Sequence, residues 1–543
     1  MIGCRLLGAE LAAPIVGVTA ARTSADGKIS HWATSDELGW VDLAPAGDAE
    51  TTTFTCAGFV TKSLRGALPS TVRLLEDRTV AYQDRLEWYP GEKVDVRVHS
   101  STPYRATLRR HGFELETVSE LGDFEAAEQV VPDLRFVADG LDWPAAFSYT
   151  LPSDSRSGIY SVALWPSAEQ RTALFAVPFV VSAANLSPQE RAPLLVLAST
   201  NNWIAYNTWG GRSRYRNYEK GASSDFLEER SLSLSIRQRL MAKVPPRAAS
   251  AVRRALGRQP VSQAWMHDPL SVARPFPHCA LELDGPFAPF TNHLAAGEWR
   301  MLAWLERQGY RYDVVTGRDL HRQPDLLRHY RGLVLSTHCE YWSAEMYDAV
   351  RISHFQQGLW IVNCSGNSMY RQVEFPTEHT MRCSSLSFAD SHADESELLG
   401  VRFTMDDYAT CGPFRVVEPN HWVFQDAPLN PRHPYFGAQS LNQNTRADSE
   451  RYSSGRPGTS TGLRGDGASG WETDKLTKSA PRDIVRVAKG ANPRGGADMV
   501  VREPEGSRGG MFSASSLTFP GSLLVDAVGS QIVANVLNRV MDR

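Results

Sequence analysis

The sequence predicts an α/β domain built on a doubly wound, mostly parallel sheet, preceded by a β-sandwich. Three observations carry this expectation. Residues 51–181 break into short runs rich in β-branched and aromatic residues, separated by turn formers. PLLVLAST at 193–200 is a continuous apolar run ending in small polar residues, the pattern of a parallel strand buried on both faces. Beyond it, strand and helix patterns alternate, which implies right-handed crossovers.

The first region, 1–185, contains TVAYQDRLEWY, KVDVRVHS, YRATLRRHG, SGIYSVALW and ALFAVPFVV, divided by PGE, SSTP and PSDSRSG. Runs and turns at this spacing suit an Ig-like sandwich. The second region, 186–543, continues with EWRMLAWLERQGYRYDVVTG as helix then strand, RGLVLSTHCEYWSAEMYDAVRISHFQQG as strand then helix, and LWIVNCSGNSMY as strand then turn. Ligands bind beyond the carboxyl ends of such strands, which places 337–343 and 364–370 at one rim. Residues 439–470 hold almost no apolar side chains and read as a long loop. FPGSLLVDAVGSQIVANVLNRVMDR has the spacing of a final amphipathic helix.

With 543 residues, two or three domains are expected, and 42% apolar against 22% charged residues is a globular composition. The 57 Lys and Arg against 61 Asp and Glu leave a net charge of −4, a field that favours neither nucleic acid nor an anionic membrane. No run reaches the roughly 18 apolar residues of a membrane helix. Glu10 and Pro14 interrupt the mildly apolar N-terminus, which reads as mature protein. Seven scattered Cys without a CxxC argue against disulfide frameworks and zinc knuckles, and a reducing, cytoplasmic setting is expected. The basic stretch between Asp225 and Arg258 reads as a solvated helical excursion broken by prolines.

Four groups carry candidate chemistry. His338, Glu340 and Tyr341 follow an apolar strand, and residues two apart on extended chain point the same way. Imidazole moves protons or binds metal, and carboxylate and phenolate oxygens suit hard cations. Cys364 opens the turn CSGN, ahead of Asn367, and resembles the nucleophile elbow of class I glutamine amidotransferase-like domains; His338, His354 or His379 is its candidate base. NNWIAYNTWGGRSRY offers Asn202 and Asn207 as amide partners and Trp203, Tyr206, Trp209 and Tyr215 as flat walls for a small polar ligand. Asp394, Glu395, Glu397 and Glu472, with His392 nearby, are candidate carboxylate ligands or bases.

In order, NNWIAYNTWGGRSRY, LERQGYRYDVVTGRDLH, STHCEYWSAEMYDAV, GNSMYRQVEF, EPNHWVF, GWETDK and MFSASSLTFPGSLLVD resemble the successive signatures of the N,N-dimethylformamidase large-subunit family, over roughly residues 190–543. The resemblance implies hydrolysis of a small amide at a mononuclear iron held by two tyrosines and a glutamate. It puts Tyr341 on one tyrosine ligand and Arg300 on the other. An arginine cannot ligate iron, which leaves Tyr310 or Tyr312 as the substitute. The glutamate falls on Asp394 or Glu395, Glu472 on an acid near the site, and Asn367 and Asn420 join the substrate-binding set. A homo-oligomer or a small partner subunit is the implied assembly.

Three readings follow: a metal-assisted amide hydrolase, a Cys364-dependent amidase, and a non-catalytic binding protein in which Arg300 clamps an anion.

Overall fold

A computed structural model of the chain describes residues 2–43, 45–167, 172–219, 222–223, 265–279, 281, 285–287, 293–442 and 467–542. The basic stretch at 225–258 and most of the expected 439–470 loop lie outside the described residues.

The first 185 residues hold two packed units. Ile2–Gly8 pairs with Trp40–Leu43 and Thr71–Leu74, and a second sheet orders Ile29–Thr34, Thr19–Thr23, Thr51–Thr55 and Lys62–Arg65. Leu6, Val18, Val41, Phe54 and Val72 fill their common interior. A β-sandwich follows. One sheet orders Phe147–Thr150, Lys93–His99 and Val80–Tyr82, and the other Leu115–Phe124, Tyr104–His111, Gly158–Pro166, Phe175–Val181 and Glu87–Trp88. In Lys93–His99, Val94, Val96 and Val98 are buried while Lys93, Asp95 and Arg97 between them are open or partly open, as a sheet with one face on the core requires.

The rest is organised by one nine-stranded sheet. Its strands in chain order are β1 (Leu194–Ala198), β2 (Tyr312–Thr316), β3 (Gly332–Thr337), β4 (Trp360–Ser365), β5 (Phe414–Val416), β6 (Tyr435–Phe436), β7 (Ile484–Gly490), β8 (Asp498–Arg502) and β9 (Met511–Ser513). The spatial order is β2-β1-β3-β4-β9-β8-β7-β5-β6.

This corrects the expected doubly wound, mostly parallel α/β fold resembling an amidotransferase-like domain. Among the described residues strands hold 36% and helices 19%, so β-structure dominates. Within the large sheet the pairings from β2 to β9 are parallel, but those joining β9, β8, β7, β5 and β6 are antiparallel. The physical reason lies in the connections. The links from β7 to β8 and from β8 to β9 are too short for a helical crossover, which needs a dozen or more residues, so the chain doubles back.

Helices α1 (Thr200–Tyr206), α2 (Ala295–Arg307), α3 (Ala344–Gln357) and α4 (Ala527–Met541) pack around the sheet. Alternate residues of β3 enter opposite interiors: Val334 joins the cluster holding Trp299, Trp304, Ile532 and Val536, whereas Leu333 and Leu335 join Met346, Tyr347 and Val350. Ser343 caps α3 through the Met346 N–H, and Gly358 ends it at φ 76°. Asp526 caps α4. The sandwich is tied to α2 by Trp299 Nε1, which donates to the Gly112 carbonyl at 2.6 Å, and by the Arg110–Glu306 ion pair.

Candidate functional site at the carboxyl rim of the sheet

Strand β3 ends at Thr337, whose φ is +60°. A β-branched residue in the left-handed region is strained by about 1–3 kcal/mol, and such strain persists only where surrounding structure enforces it. Asn367 (φ +55°), Met369 (+54°), Trp471 (+62°) and Ser515 (+63°) share this conformation in the segments that follow β4 and β9 and in the GWETDK segment. The strain re-aims the chain after β3, so that His338 and Glu340 converge with their Nε2 and Oε2 atoms 3.4 Å apart.

Around this pair the structure gathers three tyrosines. Tyr341 Oη donates to Tyr215 Oη at 2.5 Å, and Tyr215 Oη donates to Glu340 Oε2 at 2.6 Å. Tyr206 Oη lies 3.1 Å from His338 Nε2, and its ring packs 4.5 Å from that of Tyr215. On the other side, His338 Nδ1 meets the Gly366 carbonyl at 3.0 Å and stands 3.9 Å from Glu472 Oε2. Asn367 Nδ2 donates to Glu472 at 2.7 Å, and its backbone N–H donates to Asp474 Oδ1 at 2.8 Å. Gly366 is required by close approach: a Cβ there would lie 2.4 Å from the Glu472 carbonyl oxygen and 2.6 Å from the Leu517 nitrogen. Asn202 Oδ1 accepts the Glu340 backbone N–H at 3.2 Å, Asn201 Nδ2 donates to the Tyr341 carbonyl at 3.0 Å, and Arg371 Nε stands 3.7 Å from Glu340 Oε1. His293 and Trp471 form an aromatic wall, their rings 4.6 Å apart, with His293 also 4.6 Å from Tyr206.

The electrostatics follow from this packing. Burial alone would lower the His338 pKa, but Glu472 and then Glu340 outweigh it and push it up to about 9. Burial raises Glu340, yet the His338 bond and charge, with Arg371, hold it below the ordinary carboxylate range. Burial, reinforced by Glu340 and opposed by His338, raises Glu472. Burial and then Glu340 raise the phenols of Tyr206, Tyr215 and Tyr341 far above their usual value. The oxygens of Glu340, Tyr215 and Tyr341 lie at hydrogen-bond spacing from one to the next. Such a compact group of hard donors fits a cation such as ferric iron.

The sequence-selected residues divide. His338, Glu340, Tyr341, Glu472, Asn202, Tyr206 and Asn367 meet in this site. Trp203 turns its indole N–H to Glu298 at 2.8 Å, Asn207 holds the Pro275 carbonyl at 2.9 Å, and Trp209 packs against Phe136 and Trp143 of the sandwich side. Arg300 is buried in α2, where it donates to the Pro286 carbonyl at 2.9 Å, to the Leu441 carbonyl and to Asn442 Oδ1 at 2.8 Å; burial lowers its pKa to about 9. Tyr312 begins β2 at the opposite rim, roughly 15 Å away along a strand of this length, and donates to Glu306 at 2.8 Å. Asp394 accepts from the Ser396 hydroxyl at 2.7 Å, Glu395 pairs with Arg402 at 3.0 Å, and His392 faces Asp348 at 3.1 Å. Asn420 is exposed.

Cys364 is fully buried within β4 among apolar side chains, and burial pushes its thiol far above the usual range. Its candidate bases are engaged elsewhere: His338 with Gly366 and Tyr206, His354 with the Leu359 carbonyl, His379 with the Asp84 carbonyl.

Sequence reasoning read Tyr215 only as a wall and passed over Arg214, His293, Arg371, Trp471 and Asp474. Tyr215 and Arg214 belong to NNWIAYNTWGGRSRY, and Trp471 and Asp474 to GWETDK, so the motifs were visible although the partners were not.

No described helix is long and apolar enough to cross a membrane. No curated protein matches the chain. Among solved structures it is similar, at 14% identity and a TM-score of 0.12, to an E. coli alpha-2-macroglobulin, with 33% of this chain and 12% of that chain covered. It is similar to the Bacillus anthracis TIE protein at 12% identity and a TM-score of 0.11, over 33% of this chain and 30% of that one. For the fibronectin(III)-like modules of Clostridium thermocellum CbhA the values are 11% and 0.13, over 34% and 92%. The chain thus spans well under two thirds of the first two, and scores of this size assign no fold. Over residues 84–531 it matches the family described as N,N-dimethylformamidase beta subunit-like, C-terminal, and with most of its length inside that match the chain belongs to this family.

Proposed function

We propose that the chain hydrolyses the C–N bond of a small amide at the carboxyl rim, with a mononuclear iron held by Glu340, Tyr215 and Tyr341. The observation that carries this reading is the run of oxygens from Tyr341 through Tyr215 to Glu340, set beside His338 and Glu472. It supplies two tyrosines and a glutamate, the donor set that the family resemblance implies, without Arg300 or Tyr312. A ferric ion bound there supplies Lewis acidity and brings the pKa of a bound water toward neutrality.

The protein groups divide the proton work. Glu472, raised above the ordinary carboxylate range, takes a proton from the attacking water as the C–O bond forms. His338, cationic at neutral pH, gives a proton to the departing amine nitrogen as the C–N bond breaks. Proton exchange with solvent then returns Glu472 to the carboxylate and His338 to the imidazolium, which closes the balance. Asn367 orients Glu472, Asn202 fixes the Glu340 backbone, and His293, Trp471 and Tyr206 form an aromatic wall of edge-to-face rings for the amide.

The test is metal analysis of the purified full chain together with turnover of a panel of small amides. About one iron per chain and a phenolate-to-iron absorption band that weakens in both Tyr215→Phe and Tyr341→Phe are expected. Metal-free protein with full activity overturns the reading.

A further inference from the structure

Arg214 stands one residue before Tyr215, and its backbone N–H is held by the Ala205 carbonyl of α1 at 2.8 Å. The residue is 4% exposed. Among the described residues its guanidinium has no hydrogen bond, ion pair or ring contact; Nε and Nη1 are sealed without partners, leaving Nη2 as the donor that open space reaches. Other buried arginines are engaged: Arg274 donates to the Ser271 and Asn207 carbonyls, Arg300 to Asn442, Arg318 to the Thr377 carbonyl and Arg110 to Glu306. A buried cation with no counter-charge is strongly destabilising, so a protein keeps one where something else brings the anion. Arg214 adjoins Tyr215, whose hydroxyl donates to Glu340 at 2.6 Å and accepts from Tyr341 at 2.5 Å, which puts it beside the proposed reaction centre. Arg371, the cation beside Glu340, is already committed at 3.7 Å.

We propose that Arg214 is the anion-recognition residue of this site and that the amide it takes carries a carboxylate. This rests on the hydrolase reading above. One unpaired guanidinium offers one unit of charge and one open donor, which matches a monoanionic carboxylate and not a phosphate dianion. The amide carbonyl then lies toward Glu340 and Tyr215, and the carboxylate beyond it toward Arg214.

The test compares N-formylglycine with N-methylformamide, which differ by the carboxylate, on the full-length protein and its Arg214→Lys and Arg214→Met variants. The wild-type kcat/KM ratio favours N-formylglycine, and Arg214→Met lowers that ratio about 100-fold, mainly through KM, as loss of a charge-assisted hydrogen bond in a buried site requires. Arg214→Lys retains part of it. N-formylglycine raises the Tm of the wild type and leaves that of Arg214→Met unmoved, while the unliganded Tm of Arg214→Met equals or exceeds the wild-type value because an unpaired charge is gone. Turnover of both amides at the same ratio in all three proteins overturns the Arg214 assignment and leaves the hydrolase reading standing. No turnover of either amide, with the Arg214-dependent Tm shift intact, overturns the hydrolase reading and leaves the anion site. Should Arg214→Met fail to fold, the ratio in Arg214→Lys decides.

Discussion

The two rims of the nine-stranded sheet carry the same pair of residue types, a tyrosine bonded to a glutamate, in opposite circumstances. At the amino rim Tyr312 donates to Glu306, which also receives Arg110 and the Phe113 N–H at 2.7 Å. Beside it Asp313 accepts from the Ala192 N–H at 2.9 Å and from Tyr330 at 3.0 Å, and Arg191 donates to Tyr330 at 2.8 Å. A cavity of about 700 Å³ opens there between sandwich and sheet. At the carboxyl rim Glu340 and Glu472 share His338, three phenols crowd the same space, and strained residues flank it. Among the described residues, none of the left-handed non-glycine positions lies at the amino-rim ends Leu194, Tyr312, Gly332 and Trp360 of the parallel strands. The difference teaches that a Tyr–Glu contact is not in itself a site. Enforced strain and shared counter-charges separate chemistry from scaffolding.

The sharpest way to break this comparison is to remove the carboxylate on each side. Glu340→Gln is expected to lower kcat/KM by about 10³-fold or more and to release iron, measured by steady-state kinetics and metal analysis. Glu472→Gln, which keeps the shape but not the base, is expected to cost about 10²-fold in kcat with iron retained. At the amino rim Glu306→Gln leaves turnover unchanged and lowers unfolding stability by about 2 kcal/mol, read by denaturant titration. If that variant loses turnover instead, the two rims are not functionally distinct.

Strain sharpens the same contrast. Thr337→Gly adopts the left-handed conformation without strain while the surrounding structure still holds the turn toward His338 and Glu340, so stability rises by about 1 kcal/mol and kcat is retained. Loss of both stability and activity would mean that the Thr337 side chain, not its backbone, is what the rim needs.

The smallest effect is a pH dependence. Burial pushes Glu298 up to about 7, although the Ser199 N–H and the Trp203 indole donate to it. Its folded pKa lies above the unfolded value of about 4.3. Its contribution to stability is therefore present below that pH and is lost as pH rises through about 7. The denaturation midpoint should fall between pH 5 and 8, and Glu298→Gln should flatten that decline.

Local sequence pattern determined the strands, the helices and the rim at which to look. The apolar runs PLLVLAST, RGLVLST and LWIVN form buried strands because nothing polar interrupts them, and Ser343, Gly358 and Asp526 terminate helices through cap chemistry written in adjacent residues. His338, Glu340, Tyr341 and Glu472 were legible as chemistry-bearing types placed just after strands or in an acidic segment. The direction of β7, β8 and β9 was not legible, since an apolar run reads the same parallel or antiparallel and only the pairing partner chooses. Nor was the company each residue keeps. Tyr215 meets Tyr341 across 126 positions and Tyr312 goes instead to Glu306, because which oxygens come within 3 Å is fixed by how β1, β3 and β4 are laid side by side. Arg300 and Arg214 are the same residue type in the same chain; tertiary packing surrounds the first with carbonyls and leaves the guanidinium of the second without a partner among the described residues.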